Sequence, residues 1–378
     1  MPTKRIFSLL SARRIPRLKA SIVWMLLTSA VTLCLATPAA AQHSRHYRQI
    51  NLVSDIPNLA AKTDPNLVNP WGLARSSTSP WWVADNGTGV STLYNGAGDA
   101  VPLVVTIPPP SGGSSPAAPT GAVFNDSTDF EVTSGNPARF MISAWNPAVD
   151  LHNAILKVDN SSSSAIYKGA TLAANGNAHY LYVANFHSGH VEVFDTHFNL
   201  FPLPAGAFTD ATVPAGFAPF NVQNISGNIF VAFAMQDANK EDEVAGPGLG
   251  FVDAFDASGK LLIRLRPGRW MNAPWGVALA PEGFGKFSGH LLVGNFGSGR
   301  IAAFDPQKGH FRGLLRGRHG HPITIEGLWA LSFGNGAAAG PANTLFFTAG
   351  IDDEQHGLFG TLAPIPHEKD EGDDGNED

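Results

Sequence analysis

The chain has 378 residues, with 25 basic against 31 acidic side chains and a formal net charge of −6; it contains one cysteine, 40 glycines and 28 prolines. An acidic chain without a basic stripe excludes the usual modes of nucleic-acid binding. A single cysteine excludes an internal disulfide framework.

Residues 1–41 read as a secretory leader. Lys4, Arg5, Arg13, Arg14, Arg17 and Lys19 form a basic head, residues 22–36 are apolar, and Ala39-Ala40-Ala41 offers a small-residue cleavage site before Gln42. The pair Arg13-Arg14 suits the twin-arginine route, Pro16 departs from its pattern, and the choice between the two export routes stays open. Cys34 follows Leu33 rather than a small residue, which does not suit lipid attachment, and it leaves with the leader. A secreted or periplasmic chain without a membrane anchor is therefore expected. Without the leader the count is 19 basic against 31 acidic. The tail "HEKDEGDDGNED" (367–378) holds seven of those acids and reads as disordered.

Between leader and tail, one phrase recurs. "VADNGTGVSTLYN" (83–95), "VANFHSGHVEVFD" (183–195) and "VGNFGSGRIAAFD" (293–305) share a Gly at the seventh position and an aromatic at the twelfth. Each reads as strand, tight turn, strand. Gly89, Gly189 and Gly299 are expected at positive φ. Tyr94, Phe194 and Phe304 are expected between neighbouring sheets. Apolar starts recur as well: "NPWGLA" (69–74), "APTGAVF" (118–124), "KGATLA" (168–173), "APFNVQ" (218–223), "APWGVALA" (273–280) and "EGLWAL" (326–331). They align on Pro70, Pro119, Lys168, Pro219, Pro274 and Leu328, with "KGATLA" the weakest member. Six units of about fifty residues, each of several short strands, predict an all-β fold, a six-bladed β-propeller over 42–366. "ARFMISAWNPAVD" (138–150) reads as two strands fused into one, so blade two should be shortened. "YRQINLVSDI" (47–56) belongs to no unit. It is expected to close the ring as the outer strand of the last blade, removing an exposed edge.

These motifs carry a resemblance. "DPNLVNPWGLA", "YKGATLA", "GPGLGFVDAFD", "NAPWGVALAPEGFGKFSGHLLVGNFGSG", "IEGLWALSFGNG" and "FFTAGIDDEQHGLFG" resemble an uncharacterised family of secreted bacterial β-propellers, some of whose members carry a PEP-CTERM sorting tail. More distantly the chain resembles NHL-type and gluconolactonase-like six-bladed propellers. The first resemblance implies fold and secretion but no activity; the acidic tail here departs from the sorting tail.

Candidate site residues follow from where propellers bind, at one mouth of the central channel. Asp85, Asn185, Asn295 and Asp352 recur near the end of second strands, and Glu326 opens the last inner strand. Together they suggest oxygen ligands for calcium or another divalent cation, against the plainer reading that Asn and Asp cap turns. In lactonase-like propellers a carboxylate and amides hold such a metal, and the resemblance extends that role to Glu326, Asn69 and Asn272. Trp71, Phe220, Trp275 and Trp329 share one inner-strand position. They would either stack on a ligand or, as the favoured reading, wedge between blades. "MQDANKEDEVAGPGLG" (235–250), with Asp237 and Asp242, is the longest insertion and the candidate lid. His187 and His190, like His319 and His321, form loose pairs that a zinc ion would need a third ligand to use. No catalytic motif appears. The expected role is a binding or interaction module for a small molecule, polysaccharide or extracellular protein, with a metal-dependent hydrolase or lyase as the alternative.

Overall fold

The structure, a computed structural model, describes residues 44–141 and 143–366; the expectations for the leader and the acidic tail lie outside the described residues. Among the described residues, six sheets form the blades, antiparallel throughout except where Lys62–Thr63 pairs in parallel with Tyr47–Ser54. Blade one runs outward from the axis as Pro70–Ala74, Trp81–Asp85, Val90–Tyr94 and Val105–Thr106. Blade three is Tyr167–Asn175, Ala178–Asn185 and His190–Phe194. Blade four is Phe217–Ile225, Asn228–Gln236, Phe251–Phe255 and Leu261–Arg264. Blade five is Pro274–Leu279, Leu291–Asn295, Arg300–Phe304 and Phe311–Leu314. Innermost strands touch those of both neighbours, and Leu328–Phe333 of blade six contacts Pro70–Ala74 of blade one, which closes the ring.

The repeated phrase behaves as its chemistry dictates. Gly89, Gly189 and Gly299 take φ of 71°, 75° and 64°, a region that costs other residues steric energy. Tyr94, Phe194 and Phe304 are buried. Each packs across a blade boundary, Tyr94 for example against Phe346 and Phe359 of blade six.

Closure follows the expected strand. Tyr47–Ser54 pairs antiparallel with His356–Pro364, from Tyr47↔Pro364 to Ser54↔Leu358. Blade six is therefore five-stranded, in the order Lys62–Thr63, Tyr47–Ser54, His356–Pro364, Leu345–Ile351 and Leu328–Phe333. Tyr47 also reaches blade five, where its hydroxyl donates to the Phe284 carbonyl at 2.9 Å.

Blade two is short, but not by fusion. Phe140 pairs with Trp145 and Met141 with Ala144, so the chain reverses there. The blade consists of Val123–Phe124, Phe140–Met141 and Ala144–Trp145, each two residues long. A separate small hairpin, Glu131–Thr133 with Asn136–Pro137, stands apart from it. Second and third strands elsewhere have five to nine residues, so blade two cannot fill the wedge between its neighbours.

Candidate functional site

Aromatic rings stop the axis at one level. Trp71 stacks on Trp329 with centroids 3.6 Å apart and meets Phe220 edge-on at 6.5 Å. Trp275 packs edge-on to both Trp71 and Trp329, and Phe296 and Phe186 join the cluster. Blades one and four face each other across a six-fold ring, so a Trp71–Phe220 contact spans the axis. This corrects the wedge expectation. The shared inner-strand position faces the channel, and six converging strands leave a space that large rings fill.

At one mouth, above this plug, polar side chains converge. Asn69, at φ 45°, precedes the inner strand of blade one. Its Oδ1 accepts from Trp329 Nε1 at 3.1 Å and its Nδ2 donates to Glu354 Oε2 at 2.7 Å. Glu354 ends a run of three left-handed residues, Asp352, Asp353 and Glu354, with φ of 55°, 50° and 63°. Such a run costs on the order of 1–2 kcal/mol per residue. It is held in part by Glu326, whose Oε1 accepts from the Asp352 N–H at 3.1 Å. The strained turn delivers Glu354 to the mouth. Burial pushes its pKa up, against the pull of Asn69, Lys168 and Trp71.

Lys168 is the cation of the site. Its side chain is 7% exposed and its Nζ lies 2.9 Å from Asp242 Oδ1. The ammonium also stands 5.0 Å from the centroid of Trp71, 5.7 Å from Phe186 and 6.0 Å from Phe220, an aromatic box that favours positive charge. Asp242 belongs to the blade-four insertion. Asp237 folds that insertion by accepting the Glu241 N–H at 2.9 Å. Asn272 pins it by accepting the Gly246 N–H at 2.6 Å, and Glu243–Val244 pairs with the second strand of blade four. Burial pushes the Glu243 carboxyl up to about 7, with Glu354 and Asp242 adding to the rise and Lys168 opposing it.

Next to this cluster, where blade two is short, a cavity of about 670 Å³ opens, within the range of small-molecule sites. Met141 and Ala144 of blade two and Leu181, Val183 and Phe194 of blade three make an apolar wall. Trp71, Lys168, Asp242, Glu354 and Asn86 line its polar end.

The sequence candidates thus divide. Trp71 and Asp242 line the cavity; Trp275 and Trp329 belong to the plug beneath it. Asp237 shapes the insertion. His187 is half-buried in the blade-three turn, outside the cavity wall, with Nδ1 buried and unpartnered. The oxygen-ligand residues are not gathered into a ring. Asp85 accepts from the Thr92 N–H and hydroxyl at 3.0 and 2.8 Å. Asn185 accepts from Ile166 and Ser188 and donates to Glu192. Asn295 accepts from Asn272 N–H and donates to the Arg300 carbonyl. Asp352 and Glu326 are exposed on the turn of blade six. Turn and strand-end bonding absorbs the Asn185 and Asn295 amides and one Asp85 oxygen, while Asp85 Oδ1 is buried and unpartnered. Among the described residues, no three His, Cys, Asp or Glu side chains gather as a metal site.

Sequence reasoning passed over Lys168, Glu354 and Glu243 as site residues. The signal for Lys168 was present: it occupies a position held by Pro70, Pro119, Pro219, Pro274 and Leu328 in the other units. A charge at an apolar repeat position needs a reason. Glu354 lies two residues after the candidate Asp352, and its approach to the axis depends on a left-handed run that residue types do not announce.

The molecule is thus a six-bladed β-propeller with a plugged channel and a side cavity at one mouth. No family model matches the chain. It is 32% identical over 325 residues to an uncharacterised protein of Acanthamoeba polyphaga mimivirus, across 82% of this chain and 78% of that relative. A second uncharacterised protein of the same virus is 32% identical over 331 residues, across 82% and 84%. The chain belongs to the family of these proteins. Solved structures similar to it include a streptogramin B lyase (TM-score 0.45, 10% identity, 85% of this chain and 98% of that one). Another is virginiamycin B lyase from Staphylococcus aureus (0.44, 10%, 85% and 99%). A third is a gluconolactonase from Xanthomonas campestris (0.38, 13%, 86% and 93%).

Proposed function

We propose that this protein binds a small molecule in the cavity beside blade two, with the polar end of that molecule at the channel mouth. The observation that carries the reading is the coincidence of three departures from the repeat: the shortened blade, Lys168 in place of an apolar residue, and an insertion that brings Asp242 to Lys168. A cavity of about 670 Å³ with an apolar wall is of a size that suits a small molecule. The leader-like residues 1–41 support a secreted or periplasmic setting, and the shared motifs support a wider kinship with secreted bacterial propellers.

The test uses 1-decanol, a flexible neutral probe, followed by titration calorimetry. The wild-type protein should bind it at one site per chain. Ala118 is exposed and lines the cavity. Ala118→Trp should weaken binding at least about tenfold, about 1.4 kcal/mol, with an unchanged unfolding midpoint. Equal binding by both proteins, or none by the wild type, would sink the proposal.

A further inference from the structure

We propose that the ligand is an amphipathic carboxylate, whose anionic group replaces Asp242 as the partner of Lys168 while its apolar body fills the cavity beside blade two. The inference rests on the cavity-binding reading above.

Lys168 and Asp242 are unequal partners. The Lys168 side chain is 7% exposed and that of Asp242 is 77% exposed. Burying an ammonium is costly unless a counter-charge accompanies it, and a purely structural pair would bury both members. Here the cation is fixed by a strand and three rings, while its anion stands in solvent on an insertion. Loss of the Lys168–Asp242 contact requires only a rotamer change at an exposed side chain. The rest of the insertion stays anchored through Asn272 and Asp237.

The geometry around Lys168 favours an acceptor-bearing ligand. Lys168 and Trp71 both line the cavity. The Trp71 indole N–H is buried near the Glu354 carboxylate without a well-formed hydrogen bond, so a ligand oxygen would compete only with that loose contact, and Lys168 Nζ sits over the same indole. A carboxylate at the polar end of the cavity would take the ammonium with one oxygen and could reach the indole N–H with the other. Charge-assisted hydrogen bonds of this kind are the strong ones. The neighbouring carboxyls do not forbid an anion. Glu354 is engaged by Asn69, and burial raises the pKa of both Glu354 and Glu243. Asp242 is then an internal stand-in for the ligand, and its occupancy of Lys168 lowers the apparent affinity by the fraction of protein in which the cation is free.

The experiment compares decanoate, 1-decanol and decylamine, which share one chain length and differ in head-group charge. Binding to the full chain is measured by calorimetry with the wild type, Asp242→Asn and Lys168→Met. Methionine keeps most of the lysine stem, and an apolar replacement of a buried charge is often tolerated. The expected order in the wild type is decanoate over decanol over decylamine. Asp242→Asn should tighten decanoate about five- to tenfold more than it changes decanol. Lys168→Met should erase the preference for decanoate over decanol. The inference is overturned if decylamine binds best, if Asp242→Asn tightens decanol as much as decanoate, or if Lys168→Met keeps the preference. In those cases, decanol binding that Ala118→Trp blocks leaves the cavity reading intact. Failure of all three probes to bind any of the proteins overturns both.

Discussion

The ring is fastened through Tyr47, and replacing it should weaken the whole propeller. Tyr47 is 1% exposed. Its ring lies 4.8 Å from that of Phe284 and stacks on Phe287 at 6.3 Å. Its hydroxyl donates to the Phe284 carbonyl at 2.9 Å and accepts from the Phe287 N–H at 3.3 Å. Its own N–H donates to the Arg316 carbonyl at 2.9 Å. A strand of blade six is thereby tied to blade five. Tyr47→Ala removes a fully buried ring, and truncations of that size cost about 3–5 kcal/mol. Tyr47→Phe keeps the ring but strips the partner from a buried carbonyl and a buried N–H, worth about 1–3 kcal/mol. Urea unfolding followed by tryptophan fluorescence would give both values. Native-state hydrogen exchange would show where protection is lost. If the clasp holds the ring, protection falls in the inner strands of blades one and five as well as in blade six. A loss below about 1 kcal/mol for Tyr47→Ala, or one confined to Tyr47–Ser54 and its partner strand, would refute the reasoning.

Asp85 is completely buried with Oδ1 unpartnered. Burial raises its pKa well above the usual carboxylate range, while the Thr92 bonds oppose the rise. Its folded pKa lies above its unfolded value near 3.9, so the native state holds the proton longer. Stability falls as pH rises through that window, by at most about 1.4 kcal/mol per pH unit. Asp85→Asn, which copies Asn185 and Asn295, should therefore be the more stable protein at pH 7 and lose its advantage near pH 4; melts across that range that show no such convergence count against it. Gly299→Ala places a Cβ 2.2 Å from the Ile325 carbonyl oxygen at φ 64°, whereas Gly189→Ala meets nothing within 4 Å at φ 75°. Both carry the left-handed cost of about 1–2 kcal/mol, so denaturant titration should find Gly299→Ala worse by a further 1–3 kcal/mol or so; equal losses would contradict the close approach. Glu243 faces Lys168, Glu354 and Asp242, and burial carries it up to about 7. Its ionisation above that pH adds negative charge at the mouth, so decanoate binding should weaken between pH 6 and 8 while decanol binding stays flat. A decanoate affinity that rises over that interval would reverse the assigned electrostatics.

Much of the frame was legible because strand, turn and strand repeat with fixed residue types. Gly89, Gly189 and Gly299 need positive φ, and that need set the turns and hence the blades. "YRQINLVSDI" announced itself by being unassigned: Ile50, Leu52 and Val53 called for a partner, the open edge of His356–Pro364 supplied one, and Leu52 and Val53 are buried there while Ile50 stays exposed. What was hidden concerns radial direction. A side chain at a shared inner-strand position faces either the axis or the next blade, and local patterning is the same in both cases. Trp71, Trp275 and Trp329 therefore looked like wedges until the strands were placed around a ring. The recurring Asp and Asn misled in the opposite way. Recurrence at one repeat position marks a task that every blade needs, and each blade needs its turn bonded.

That contrast indicates where function sits in a repeat protein of this kind. Symmetry supplies what is common: inner strands, turn glycines, and aromatic positions that together stop the channel. A binding site has to be asymmetric, because a small molecule touches a few blades and not six. The asymmetric features here lie at one place. Blade two has two-residue strands, and the space it leaves is bounded by blade three. Blade three carries Lys168 where its counterparts carry proline or leucine. Blade four contributes the insertion with Asp242 and Glu243, and blade six spends three left-handed residues to present Glu354. Each departure has a cost in stability: an unfilled wedge, a buried charge, an ordered loop, a strained turn. Four independent costs that converge on one cavity are hard to attribute to packing, which would have been better served by repeating the neighbouring blade. Their convergence, rather than any single side chain, makes the mouth beside blade two the place to look for the ligand.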